Sequence, residues 1–179
     1  MAMAVANRYA RALADVLGPQ GDYRRVLSEL DEFAAAYGAS ADLRNLFESP
    51  TVPLADKTRV LAALLERMGA ASITLNFLGV LLANHRANLI DQVRQAFRKV
   101  AYQRLGVTEV RIESAGQLSE AEQQTLRARF ADLTSREVEL DFHLNPELLG
   151  GIRAQIQSTV YDGSIRGSLE RLRQQLMTR

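Results

Sequence analysis

The feature that constrains this chain most is a change of hydrophobic period after Leu105-Gly106. Before it, apolar residues recur every three or four positions, the spacing of helices. After it, they alternate every second position, the spacing of half-buried strands. A chain of 179 residues with two such regimes is expected to fold as two units. The first, 1–105, reads as a six-helix bundle. The second, 106–179, reads as a small α+β domain with up to four short strands and two helices.

The helical half is punctuated by caps and breakers. Tyr9, Ala12, Leu13 and Val16 stripe a first helix that Gly18-Pro19 stops. Asp22 is placed to cap a second, carrying Val26, Leu27, Leu30, Phe33, Ala34 and Tyr37, with Gly38 as its expected end. Leu43, Leu46 and Phe47 mark a short third helix after Ser40, and Ser49-Pro50 breaks it. Pro53 suits the first turn of a fourth, with Val60, Leu61, Leu64, Leu65 and Met68 inward. Ser72 is the expected cap of a fifth, apolar nearly all round from Ile73 to Ala83. Asn84, His85 and Arg86 turn the chain into a sixth, with Leu89, Val93, Phe97 and Val100 inward.

In the second half, Val110 and Ile112 alternate with Glu109, Arg111 and Glu113. Ser119 followed by Glu122 is a capping-box pattern, and Leu126, Phe130 and Leu133 give that helix its apolar side. Val138, Leu140, Phe142 and Leu144 alternate with Glu137, Glu139, Asp141 and His143, a second strand. Asn145-Pro146 and Gly150-Gly151 read as turns and Ile152 to Tyr161 as a hairpin. Ile165, Leu169, Leu172 and Leu176 stripe a last helix, which Asp162 or Ser164 would cap.

Composition narrows the function classes. The chain is 47% hydrophobic and 24% charged, an ordinary globular balance, and its net charge of +1 exerts no long-range pull on nucleic acid or anionic lipid. With no cysteines, no disulfide, zinc site or thiol catalysis is expected, and a reducing compartment fits. Met1 to Arg11 lacks the layout of a secretory signal, and the most apolar run, Ile73 to Ala83, falls far short of the roughly 20 residues of a membrane span. The expectation is a soluble protein, brought to any membrane by a partner.

No constellation for catalysis stands out. The two histidines, His85 and His143, lie far apart and lack ligands at metal spacing. Gly150-Gly151 has no following Lys-Ser/Thr to make a phosphate loop. Asp162-Gly163-Ser164 lacks the flanks of a nucleophile elbow, and a turn or cap accounts for the same residues. The acidic residues Glu29, Asp31 and Glu32 are expected on a polar helix face. Arg166, Arg171, Arg173 and Arg179 make the last helix basic, without the aromatic residues of a single-strand binder. An RNA-binding or transcription accessory protein would need a concentrated basic face, a GXXG loop or an aromatic sheet face, and none is present. A small enzyme would need clustered titratable groups. What remains is an apolar surplus: Tyr9, Ala12 and Val16 on the first helix and Asn76, Val80 and Ala83 on the fifth. These residues either pack inward as core or leave a groove for an amphipathic helix from another chain.

Three blocks carry a family resemblance. Asn7-Arg8-Tyr9-Ala10-Arg11-Ala12-Leu13, the stretch from Asn76-Phe77-Leu78 to Asn84-His85-Arg86, and the pair Leu148-Leu149-Gly150-Gly151-Ile152 with Val160-Tyr161-Asp162-Gly163-Ser164-Ile165-Arg166-Gly167-Ser168-Leu169 resemble, in that order, the bacterial δ subunit of F-type ATP synthases. Its mitochondrial counterpart is the oligomycin-sensitivity-conferring protein.

The resemblance implies a non-catalytic stator subunit without a cofactor, present once per complex. It would sit peripherally at the cytoplasmic face of the bacterial plasma membrane as part of the synthase. The helical domain would bind N-terminal segments of α subunits, and the second domain would hold the b-type peripheral stalk. Such a link keeps the head from turning with the rotor, so that proton flow is coupled to ATP synthesis. The family's α-binding groove would fall at Tyr9, Ala12, Val16, Asn76, Val80 and Ala83, and Gly150, Gly151, Asp162, Gly163 and Ser164 would form a structural turn and cap. Gln157-Ser158 departs from the glycine-containing hairpin turn usual in the family.

Overall fold

A computed structural model describes residues 2–156 and 158–165. Two compact units divide the chain, one ending at Leu105 and the other beginning at Gly106. In the first unit, six α-helices are present among the described residues: α1 (Ala2–Leu17), α2 (Tyr23–Ala39), α3 (Ala41–Glu48), α4 (Leu54–Arg67), α5 (Ser72–Ala83) and α6 (Ile90–Leu105). A single 3-10 turn, Ala87–Leu89, precedes α6.

Apolar periodicity and packing agree on α2 and α6, whereas on α1 only Leu13 of the expected stripe Tyr9, Ala12, Leu13 and Val16 is buried. Helix α6 lies against α1 and α2, and α4 against α5. The side of α1 facing inward is Ala6, Ala10, Leu13 and Ala14, so small residues let it approach its neighbours closely. Aromatic rings fill the centre: Tyr23 stacks on Phe97 at 6.2 Å, and Phe33, Tyr37 and Phe47 lie 6.3–6.4 Å apart. The Tyr23 hydroxyl donates to the Gly18 carbonyl at 2.9 Å, with the Ala14 carbonyl also in reach at 3.0 Å. It thereby fastens the end of α1 to the start of α2.

Several local expectations are corrected. Gly38 lies inside α2, which continues to Ala39; the helix ends because Ser40 takes an extended conformation and its hydroxyl accepts from Leu43 N to start α3. Pro53 is the N-cap of α4, outside its first turn, and Val60 on that helix is 36% exposed. Ser72 does not cap α5. Ala71 holds the cap position without a side-chain bond of its own, and the carboxylate of Glu29 from α2 serves instead. Glu29 is therefore buried, at 7% exposure, and does not lie on a polar face.

The second unit contains β1 (Thr108–Ser114), α7 (Glu120–Thr134), β2 (Val138–Leu144), β3 (Ile152–Ile156) and β4 (Thr159–Asp162). These form one four-stranded sheet in the order β2-β1-β3-β4. β1 and β2 are parallel, as a connection through a helix requires, and β3 and β4 are an antiparallel hairpin. The register places Val110 beside Leu140 and Ile112 beside Ala154, so one face of the sheet is apolar. Its core is small: Val110, Ile112, Phe130, Val138, Leu140 and Ala154. The capping box of α7 forms with Ser119 and Glu122, whose exposed carboxyl the Ser119 side chain and backbone hold below its ordinary value. Leu133, expected inward on α7, is 58% exposed, while Phe130 is the residue of that helix that the sheet buries. The turn at Gln157 and the helix expected beyond Ile165, with Arg166, Arg171, Arg173 and Arg179, lie outside the described residues.

Candidate partner-binding site

Helices α1 and α5 each present a face that their own core does not use. On α1, Tyr9 is half-buried, Ala12 is exposed and Val16 is 74% exposed. On α5, Thr74, Phe77, Leu78, Leu81 and Leu82 point inward. Asn76, Val80 and Ala83, at i, i+4 and i+7, form an exposed line, with Val80 at 50%. The Tyr9 ring meets Phe77 edge to face at 6.4 Å, a point of contact between the two helices. Where α1 approaches the end of α5 there is a depression of about 280 Å³, lined by Val5, Arg8, Tyr9, Ala12, Asn84 and Arg86. Of the six residues named from sequence, Tyr9 and Ala12 border this depression, while Val16, Asn76, Val80 and Ala83 extend the exposed apolar faces away from it. Val5, Arg8, Asn84 and Arg86 were missed, although Arg8, Asn84 and Arg86 lie in the sequence blocks quoted above.

Both ends of α5 are fixed. At its start, Glu29 accepts from Ala71 N at 2.9 Å, from the Thr74 hydroxyl and from Arg25 Nε at 2.8 Å. Burial pushes the Glu29 carboxyl up, but the bonds from Thr74, Ala71 and Arg25, with the Arg25 charge, outweigh it and hold the group below its ordinary value. At its end, His85 takes a left-handed conformation (φ 54°), with Arg86 N bonding Leu81 O at 2.9 Å and His85 N bonding Leu82 O at 3.0 Å. This is a Schellman closure with histidine in the position glycine usually fills. Asn84 Nδ2 donates to Val80 O at 2.7 Å. The exposed line of α5 is thus carried on a helix whose backbone is tied at both termini.

In the second unit the glycine-rich segments meet. Gly163 N donates to Ile152 O and Ile165 N to Gly150 O, both at 3.0 Å. Gly151 has φ 76°, and a Cβ there would run into the Gly163 carbonyl. Asp162 Oδ1 accepts from Ser164 N at 2.9 Å and from Ser164 Oγ at 2.6 Å, closing a tight turn around the buried Ser164. Gly150, Gly151, Asp162, Gly163 and Ser164 are therefore one packed corner. His143 Nε2 lies 2.8 Å from Asp141 on the exposed sheet face. Among the described residues no three His, Asp or Glu side chains group as metal ligands, and no helix is long and apolar enough to cross a membrane.

The family model described as ATP synthase delta (OSCP) subunit matches residues 5–176. The chain belongs to the ATP synthase delta (OSCP) family. It is 40% identical to ATP synthase subunit delta of Acidobacterium capsulatum, over 98% of this chain and 99% of that one. The subunit delta of Rubrobacter xylanophilus is 35% identical, over 99% and 98% respectively. A chain in a structure described as the Toxoplasma gondii mitochondrial ATP synthase hexamer shares the fold, with a TM-score of 0.68 and 22% identity, over 96% of this chain and 97% of that one. The delta-family architecture of a helical bundle followed by an α+β unit is the one described above.

Proposed function

We propose that this chain joins the catalytic head of ATP synthase to its membrane-anchored stalk, the first unit holding N-terminal segments of α subunits and the second the b-type stalk. Membership of the delta family makes it a peripheral-stalk subunit of ATP synthase. The observation that supports the finer reading is the exposed apolar surface of α1 and α5, with Val16 74% and Val80 50% exposed. An amphipathic helix laid along Tyr9, Ala12, Val16, Asn76, Val80 and Ala83 would remove that surface from water at about 25 cal/mol per Å², less the cost of association. The stalk reading for the second unit is supported by Leu133, Leu144, Leu149 and Val160, each at least 51% exposed. Leu149 stands out at 70% exposure in a left-handed conformation. The role is mechanical and non-catalytic, single-copy and peripheral at the cytoplasmic face of the plasma membrane.

A calorimetric titration of the full chain with a synthetic α-subunit N-terminal peptide tests the groove. Binding by the wild type, lost in Val80→Asp and Ala12→Asp at unchanged helicity, is the expected result. Both variants exposing a carboxylate in the groove and still binding normally would move the site elsewhere.

A further inference from the structure

The depression between α1 and the end of α5 differs from the rest of the groove in charge. Two guanidinium side chains, Arg8 from α1 and Arg86 just beyond α5, line it together with Tyr9 and Asn84. Neither has an ion pair among the described residues. Several other arginines of the same unit are matched, Arg94 and Arg98 to Asp31, Arg104 to Asp15 and Arg25 to Glu29. Arg86 is half-buried, and the Asn84 amide is already bonded to Val80 O, so the depression has two cationic donors and no carboxylate in its lining. Arg8 is exposed and Arg86 half-buried, and the planar fork of a guanidinium matches a carboxylate.

We propose that this depression is a carboxylate subsite of the groove: Arg8 and Arg86 take an Asp or Glu side chain of the docked α-subunit helix. The inference rests on the groove reading given under Proposed function. It also fixes a spacing. Asn84 follows Val80 by four residues, about 6 Å along a helix axis, or roughly one turn. The acidic residue therefore lies three or four positions from the apolar residue of the partner that covers Val80. The apolar faces supply the holding energy, and the arginine pair sets the register and direction of the helix along them.

The test is calorimetric titration of the full chain with an α-subunit N-terminal peptide at low and high salt, alongside peptides with each acidic residue changed to Gln. The double variant Arg8→Gln/Arg86→Gln is expected to weaken binding about tenfold at low salt and to flatten the salt dependence. Arg8→Lys/Arg86→Lys, which keeps both charges, is expected to recover part of the loss. One peptide Gln substitution is expected to weaken wild-type binding by a similar factor and to have little further effect on the double variant. If Val80→Asp abolishes binding while the Gln double variant keeps wild-type affinity and salt slope, the carboxylate subsite is wrong and the groove stands. If Val80→Asp also binds normally, the groove reading itself fails.

Discussion

Replacing Glu29 with alanine removes the side chain that caps the start of α5. The Glu29 side chain is 9% exposed and accepts from three donors: Ala71 N, the Thr74 hydroxyl and Arg25 Nε. Removing it leaves the buried Thr74 hydroxyl and the half-buried Ala71 N–H without their acceptor, at about 1–3 kcal/mol each. Loss of a negative charge at a helix N-terminus adds roughly 0.3–1 kcal/mol. Partial hydration of Ala71 and relaxation of Thr74 offset some of this, so the expected loss is about 2–4 kcal/mol. Glu29→Gln keeps the shape and one acceptor oxygen, so about half that loss is expected. The assay is urea unfolding followed by far-ultraviolet circular dichroism, a signal dominated by the helical unit, with the slope compared between variants to check that the transition is the same. A Glu29→Ala midpoint within the equivalent of about 1 kcal/mol of wild type would mean that Glu29 does not cap α5.

Two further outcomes follow from the same structure. Because the folded Glu29 carboxyl lies below its ordinary value of 4.5, its stabilisation is complete at neutral pH. It begins to fade as the pH falls through about 5 and is lost once the pH passes the folded value; Glu29→Gln should show a shallower loss over that interval in the same unfolding assay. Gly151→Ala forces a side chain into the Gly163 carbonyl at φ 76°, a cost of about 1–3 kcal/mol or more. Hydrogen exchange should show faster exchange at β3, β4 and the Gly163 amide, while unchanged protection there would contradict the packed corner.

The parts of this fold legible in the sequence are those set by neighbours in the chain. The α2 stripe, the Asp22 cap, the Ser119/Glu122 box and the alternation in β1 are local patterns, and each appears in the structure; in β2 the alternation holds through Leu140 but fails at Leu144, which is 59% exposed. The errors arise where a distant residue decides. Ser72 looked like the cap of α5 because nothing nearby shows that Glu29, more than forty positions earlier, already holds Ala71 N and Thr74. For the same reason Glu29 looked like surface. Leu133 fits a helical stripe, but the small sheet beneath α7 buries only Phe130 of that helix. In the groove, an apolar surplus was readable residue by residue, whereas the pairing of Arg8 with Arg86 requires α1 and the end of α5 to be brought together.

Whether this subunit ties head to stalk through the α1/α5 groove can be measured in membranes of a host lacking its delta subunit. ATP-driven proton pumping is measured after adding back the purified chain together with the delta-depleted catalytic head. The wild-type chain is expected to restore pumping, and Val80→Asp, folded to the same helicity, to restore little or none. Full pumping with Val80→Asp, or none with the wild type, would contradict it.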